Sequence, residues 1–420
     1  MTLDAGGEGR RQLFLPPTPS VYTSPMSPWA VLAAAMTAGS AISAIGFLYP
    51  TLTPYLRDDL GLSLTAVGLL NTFIYLGTML GALPAGWLTD HFGSRRVLIL
   101  AALTAAGLTV LVPLVAHAQA LFLALLVLVG LVVACSTPAG SQAVAQAFPP
   151  ERRGLVIGLR QMAVPLGGAL ASGLLVPLAE FLGWRWASVA AGAIAVLAAW
   201  ATSRLYRENS RPASRPPTGR SGLRRVLRER NIVLAAVAGV TLPTGQFIMI
   251  TYLILFLRER FGIPEVQGAA LLTAANLAGA LSRVWWSWLS DRLGGRRKPL
   301  LLGIVGLAAL CALLLSALPV GTPLWLKAGV VVLYGATALG WQGLHFSLLT
   351  ELSPPGLEGR VVGLGLVFTS LGIACAPPLF GLAVERSGDY TLGWQLLAGV
   401  FALGLTLLAL VRERRVPSDE

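Results

Sequence analysis

The sequence predicts an all-α membrane protein with twelve transmembrane helices arranged as two pseudo-symmetric six-helix bundles. Three observations support this fold class: an apolar composition, apolar runs long enough to cross a bilayer, and an internal repeat. Of the 420 residues, 55% are hydrophobic and only 12% are charged, and the mean hydropathy is +0.72. Soluble domains carry roughly 25% charged residues, so this chain has too little charge to cover a water-soluble surface.

The apolar residues are concentrated in runs that match the thickness of a membrane. Runs such as 97–115 and 300–317 approach the ~20 residues that cross a hydrocarbon core roughly 30 Å thick. Lipid offers no hydrogen-bond partners, so runs of this length must be helical. The predicted spans are 28–55, 63–89, 95–116, 119–147, 154–178, 185–203, 231–257, 265–290, 299–319, 323–349, 361–384 and 391–411.

Polar segments flank and divide these spans. Residues 1–27 lack the pattern of a signal peptide and predict a flexible cytoplasmic tail. Residues 204–230 are rich in arginine and proline, and they predict a basic cytoplasmic linker that touches an anionic leaflet. This linker separates an N-terminal bundle (28–203) from a C-terminal bundle (231–411), and residues 412–420 form a second cytoplasmic tail.

The distribution of positive charge predicts the orientation of the chain. Most of the 31 Lys and Arg residues lie in segments that share one side of the membrane when the N-terminus is inside. The positive-inside rule therefore predicts a multi-pass protein of the plasma (inner) membrane with both termini cytoplasmic. The net charge of +12 is explained in this way, and we expect no nucleic-acid partner.

The sequence favours no catalytic, metal or cofactor role. Cys135, Cys311 and Cys375 lie far apart inside apolar runs, so they offer neither a disulfide framework nor metal-ligand spacing. The sequence contains no nucleotide-binding loop, zinc motif or nucleophile–base pair. We therefore expect a protein without enzymatic activity, cofactor or metal.

The two halves of the chain repeat the same landmarks in the same order. Residues 86–96 (GWLTDHFGSRR) match residues 287–297 (SWLSDRLGGRR) at an offset of 201 residues. A pair of prolines precedes both the fifth and the eleventh predicted span. Gly-Trp pairs begin the sixth and twelfth spans, at 183–184 and 393–394.

This pattern resembles the major facilitator superfamily over essentially the whole chain, because the G-x-L-x-D-x-x-G-x-R-R loop after the second span is its best-known motif. The second copy departs at its first position, where Ser287 replaces glycine. The resemblance implies a gate in which the loop aspartate pairs with a basic residue or caps a helix in one conformation only. It also implies glycines that allow tight turns and close helix approach. The gating residues so implied are Gly86, Asp90, Gly93, Arg95, Arg96, Asp291, Gly294, Arg296 and Arg297. The alternative is an ordinary positive-inside loop.

The spans differ in polarity in a way that fits the same architecture. Spans three, six, nine and twelve are nearly featureless and are expected to face lipid. The other eight carry the polar residues, glycines and prolines. The resemblance implies a substrate site near the membrane midplane, between the two bundles and lined by these eight spans.

Two arginines inside spans are the leading candidates for substrate binding. All Asp and Glu residues lie in tails, loops or span ends, whereas Arg160 and Arg283 fall within the fifth and eighth spans. A charge inside a membrane is costly and indicates function, and the planar guanidinium suits a carboxylate. Arg283 shares a helical face with Asn276, and residues 276–283 loosely resemble monocarboxylate and oxalate–formate carriers, in which an arginine binds the anion. The alternative is that these arginines snorkel to the cytoplasmic surface, or that Arg283 braces the Asp291 loop.

Further candidate substrate-binding residues are polar or aromatic. Trp341 and His345 share one face of the tenth span, with Gln342 beside them. His345 can titrate near neutral pH and is a candidate proton-coupling group, although a structural histidine is the alternative. The remaining candidates are Gln246, Tyr75 and Asn71. Each of these could instead bond a neighbouring helix.

Together these features predict a secondary active transporter that moves a small organic or inorganic anion, carboxylate-like, by alternating access. It would act as a symporter or antiporter, with H⁺ or a counter-substrate as partner, and as a monomer in the bilayer. The alternative is an efflux pump for hydrophobic drugs or metabolites, although no buried carboxylate is present to bind cationic drugs. A sensor or scaffold would need an appended soluble domain, for which the tails offer little room.

Overall fold

The computed structural model describes residues 27–149, 152–207, 226–354 and 357–412. Throughout these four stretches the chain forms helices joined by short turns, without a strand. The prediction of an all-α fold is therefore confirmed. Nearly all of the two predicted tails, and most of the basic linker, lie outside the described residues.

The first half folds into helices that run from Pro28 to Leu205. They are α1 (Pro28–Thr51), α2 (Thr53–Leu60), α3 (Leu64–Phe92), α4 (Ser94–Leu114), α5 (Gln119–Ala147), α6 (Arg153–Gln161), α7 (Ala163–Leu170), α8 (Val176–Leu182) and α9 (Trp184–Leu205). A π-helical turn, Ala171–Leu175, joins α7 to α8.

The second half repeats this plan from Arg230 to Leu410. Its helices are α10 (Arg230–Ala238), α11 (Thr244–Phe261), α12 (Glu265–Arg292), α13 (Arg297–Ala317), α14 (Leu324–Ala338), α15 (Trp341–Leu352), α16 (Glu358–Ser387) and α17 (Tyr390–Leu410). As in the first half, some spans are single long helices and others are divided into shorter helices that meet at a break.

Four predicted spans are not single continuous helices. The first ends at Thr51 and is continued by α2, while the fifth, seventh and tenth are interrupted. The fifth breaks at Met162, the seventh between α10 and α11, and the tenth between α14 and α15. Pro165 and Pro243 account for the breaks in the fifth and seventh spans, because proline has no N–H and clashes with the preceding turn.

Ten helical stretches in the described part of the chain are long and apolar enough to cross a membrane. The predicted seventh and eighth spans are not among them. The seventh is divided between α10 and α11, and α12 carries Arg283 in its interior. Length and composition thus support ten of the twelve predicted spans.

Large apolar side chains remain exposed on the outside of the helices. The four featureless spans show this: Leu100 lies on α4, Trp200 on α9, Leu313 on α13 and Leu403 on α17, all with their side chains exposed. Apolar surface on this scale needs a non-aqueous environment. The chain is a multi-pass membrane protein.

Glycines set the closest helix crossing in the first half. A methyl group added at Gly77 of α3 would overlap the carbonyl oxygen of Val127 on α5. A methyl group added at Gly130 of α5 would likewise overlap the carbonyl oxygen of Ile74 on α3. Small residues allow this backbone contact, which stabilises helix pairs in lipid through van der Waals packing.

Corresponding helices of the two halves begin at the same end of the molecule. Arg258 contacts both Asp58, just before α3, and Glu265, in the first turn of α12, so α3 and α12 begin at the same end. Both helices then run to the opposite end, where the motif segments 86–96 and 287–297 contain their last turns, a short turn and the start of the next helix. We call that end the motif end and the other the far end. Most of each motif segment is therefore helical, and we keep the name motif loop for it.

Candidate functional site

The side chain of Arg283 lies between the two halves. It is 6% exposed, and its Nε donates to the carbonyl oxygen of Leu339 (3.0 Å), in the break between α14 and α15. Its Nη1 donates to the carbonyl oxygen of Gln161 (3.0 Å), the last residue of α6 in the other half. These hydrogen bonds connect Arg283 to two helix breaks, and not to the Asp291 loop.

Proline explains why the Gln161 carbonyl accepts a hydrogen bond from the opposite half. Pro165 has no N–H, so the carbonyl of Gln161, four residues earlier, lacks its usual partner within the helix. Arg283 supplies the missing donor. The same arrangement recurs in α16, where Pro378 frees the carbonyl of Ala374, which accepts from the hydroxyl of Thr72 on α3 (2.5 Å).

Arg160 is even more deeply buried, at 1% exposed. Its Nη2 donates to the carbonyl oxygen of Ser136 on α5, and its Nη1 contacts the side-chain oxygen of Gln161 at 3.3 Å. Its Nε has no hydrogen-bond partner among the described residues. Gly140 makes room for this packing, because a methyl group there would lie 2.6 Å from the Nε of Arg160. The Arg160 side chain therefore does not snorkel to the surface.

The two arginines therefore meet at one residue. Gln161 accepts from Arg160 through its side chain and from Arg283 through its backbone. Within the described stretches, the ion pairs of the chain involve neither guanidinium. The structure thus brings together two buried cations, one from each half, without a carboxylate between them.

The aromatic candidates and Gln246 lie on helices of both halves. The ring of Tyr75 on α3 packs edge-on against Phe247 of α11 (4.7 Å between centroids). Trp341 is buried at the start of α15, and its Nε1 has no acceptor in the part of the chain that the structure describes. Gln246, on α11, is also buried.

The two candidate asparagines bridge the halves. The amide of Asn71 on α3 donates to the hydroxyl of Thr251 on α11. The amide of Asn276 donates within its own helix to Leu272 (3.0 Å), while its side-chain oxygen packs against Gly168 of the other half. In this conformation both side chains are contacts between the halves.

His345 is enclosed by apolar and aromatic groups. It is fully buried, and neither ring nitrogen has a hydrogen-bond partner among the described residues. Its ring lies 5.8 Å from that of Trp341 and 5.5 Å from that of Phe346 (between centroids). Gln342, on the same helix, is only half-buried.

The first motif loop binds helices of its own half. The exposed carboxylate of Asp90 accepts from the amide of Gln142 on α5 (3.0 Å). Arg95 donates to the carbonyls of Ser203 (2.8 Å) and Tyr206 (2.5 Å), at the end of α9. A cation at that position also complements the negative end of the helix dipole.

The second motif loop is also held within its half, but by a different arginine. Asp291 pairs with Arg297 (2.6 Å), which also reaches Glu351 at the end of α15 (3.1 Å), while Arg296 and its counterpart Arg96 are exposed.

The motif glycines fulfil one of the two predicted roles. Gly93 has a φ of 85° and Gly294 a φ of 75°, so both make the turns that only glycine adopts readily. A methyl group added at Gly86 would meet nothing within 4 Å. Close helix approach at that position is therefore absent from this conformation.

Charged residues at the far end were missed by sequence reasoning. Residues 55–61 (YLRDDLG) and 256–262 (FLRERFG) match at the same offset of 201 residues as the motif loops. Both segments end on a glycine with a φ of 63°, Gly61 and Gly262. Applying the motif-loop offset to the rest of the chain would have found them.

The matched charges of these far-end segments pair reciprocally across the halves. Arg57 pairs with Glu259, and Arg258 pairs with Asp58 (2.7 Å). The hydroxyl of Tyr390 donates to the second carboxylate oxygen of Glu259 (2.8 Å). The two ion pairs join the halves at the far end.

The third charge of each segment binds within its own half. Asp59 contacts Arg185 (2.9 Å) and the indole of Trp184 (3.0 Å), and Arg260 contacts Asp389 (2.7 Å). Burial alone would raise the pKa of Asp59, but the hydrogen bonds from Arg185 and Trp184 outweigh it and lower that pKa. The Asp59 carboxylate is thus ionised at neutral pH.

Comparison with known proteins places the chain in a family. Its residues 31–377 match the model of the Major Facilitator Superfamily. The chain is 30% identical over 391 residues to an uncharacterized MFS-type transporter of Mycobacterium tuberculosis, with 91% of this chain and 85% of the relative covered. A cis,cis-muconate transport protein of Acinetobacter baylyi is 25% identical, with 86% and 88% covered. The crystal structure of a D-xylose-proton symporter has the same fold, with a TM-score of 0.72, 16% identity, and 92% and 97% covered. The chain therefore belongs to the Major Facilitator Superfamily of membrane transporters.

Proposed function

We propose that the chain is a secondary active transporter that moves a small anion, organic or inorganic and carboxylate-like, across the plasma membrane by alternating access. The observation that supports this most is the meeting of Arg160 and Arg283 at Gln161. Two buried cations without a carboxylate partner in the described chain are costly. An anionic substrate between the halves would neutralise them and use their remaining donors.

The topology in this proposal has twelve spans. The broken pair α10–α11 is the seventh span, and the polar helix α12 is the eighth. Interrupted backbone is tolerated at membrane depth where it is buried in protein or lines a cavity, so these two helices suit a substrate path. The motif end faces the cytoplasm, as the positive charges indicate, and the monomer is the transport unit.

Alternating access would exchange one closed end for the other. Ion pairs join the halves at the far end here, and in our proposal the motif end closes in the opposite conformation. Asp90 is exposed and bonded only to its own half among the described contacts, so it can take a partner on the other half when the motif end closes. Asp291 would act likewise after release from Arg297.

A relative's substrate and the surroundings of His345 support the substrate class and the coupling that we propose. The Acinetobacter baylyi relative is named for muconate, an organic anion, which supports the same class here. His345 is the candidate for proton coupling, but its ring is buried against the rings of Trp341 and Phe346. A counter-substrate anion that uses the same arginines is therefore the coupling that the geometry favours.

Uptake into proteoliposomes tests the proposal. The purified chain would be offered radiolabelled monocarboxylates, dicarboxylates, nitrate and neutral amides of the same size. We expect saturable uptake of at least one anion class, inhibited by other anions and unaffected by the amides. Transport of neutral or cationic hydrophobic compounds alone, with broad drug resistance in overexpressing cells, would contradict the proposal and favour an efflux pump.

A further inference from the structure

We propose that Arg160 and Arg283 form a single site for a dianion, a small molecule with two acidic groups such as a short dicarboxylate. This inference rests on the proposed function and narrows its substrate class. The two guanidiniums come from opposite halves and meet at Gln161, one at its side-chain oxygen (3.3 Å) and one at its backbone oxygen (3.0 Å).

The charge balance of the site favours a dianion. In the described chain neither arginine is ion-paired, so the site holds two positive charges. A monoanion would leave one buried cation without a counter-ion when the site closes around it. A dianion neutralises both, and an uncompensated charge is most costly in a buried site.

Each of the two arginines also has a hydrogen-bond donor that could bind an acidic group. The Nε of Arg160 is buried without a partner. The hydrogen bonds of Arg283 within the described residues use Nε and Nη1, which leaves Nη2 for a ligand. Because a guanidinium is a planar fork matched to a carboxylate, each arginine can take one acidic group.

A ligand with two acidic groups could also link the two halves. Arg283 now joins the halves through a neutral acceptor, the Gln161 carbonyl. An acidic group is a stronger acceptor than a carbonyl and can replace it, while the second acidic group binds Arg160 on the other half. A ligand with one acidic group satisfies only one half at a time.

Calorimetric titration of the full-length chain in nanodiscs tests the dianion site. The probes are short dicarboxylates, beginning with succinate, each compared with its half-amide, which has the same length and one charge fewer. We expect each dicarboxylate that binds to do so at least about tenfold more tightly than its half-amide, since a hydrogen bond to a charged group usually contributes that much. In R160Q this preference should fall below about twofold.

Each outcome of this titration has a definite meaning. If wild-type protein binds a dicarboxylate and its half-amide equally, the dianion site is wrong while anion transport stands. If no anion binds at all, the proposed function fails with it. The wild-type comparison needs no substitution, so the test holds even where R160Q does not fold, and R160K provides a second variant.

Discussion

Replacing Arg283 with glutamine should reduce the apparent affinity for the transported anion at least about 30-fold. A buried charge pair that loses one partner costs roughly 2–5 kcal/mol, and each ~1.4 kcal/mol is a factor of ten. Arg283 contributes one of the two cations that meet at Gln161. The measurement is concentration-dependent uptake into proteoliposomes.

Two further variants separate charge from geometry in this experiment. Arg283→Lys keeps the charge but loses the planar fork, so its loss should be intermediate. Arg204→Gln removes an exposed arginine that lies over Trp200 on the lipid-facing helix α9, and it should transport like the unmodified chain. Normal transport by Arg283→Gln would show that this arginine braces two helix breaks and does not bind substrate.

Gly130→Ala should destabilise the fold strongly, although alanine is the better helix former. The added methyl group would overlap the carbonyl oxygen of Ile74, so α3 and α5 must move apart. The opposite contact, Gly77 against Val127, would be lost with it. Overpacking of this kind costs roughly 1–3 kcal/mol or more. The measurement is the temperature at which the purified protein loses its monodisperse peak, which should fall by several degrees.

Gly107→Ala is the matched control for this change. Gly107 also lies within a helix, α4, but a methyl group there would meet nothing within 4 Å. It should leave the thermal midpoint unchanged or slightly higher. Equal midpoints for Gly130→Ala and the unmodified chain would show that α3 and α5 do not cross as closely as described.

The helical architecture was predictable because lipid leaves an apolar run of 20 residues few alternatives to a helix. The contacts that hold the helix breaks were harder to predict. Pro165 is visible in the sequence, but the carbonyl it frees, that of Gln161, is bonded by Arg283, 122 residues away. A break is tolerated where such a distant donor is present, and hydropathy does not report on that donor.

The candidate site was only partly predictable from the sequence, because it too depends on contacts between residues far apart in the chain. Arg160 and Arg283 stood out as the charges inside spans, but their meeting at one residue depends on how α6 packs against α12. Asn71 and Asn276, selected as polar residues, bond or pack between the halves in this conformation. The far-end pairs were missed because charges at span ends were assigned to topology, although the repeat offset located them.

The position at which a transported anion binds decides most directly whether Arg160 and Arg283 form the substrate site. A structure of the chain with the best-transported anion bound should show one acidic group at the guanidinium of Arg283 and a second at that of Arg160, with the Gln161 carbonyl displaced from Arg283. An anion bound elsewhere, with the hydrogen bond between Arg283 and Gln161 intact, would contradict it.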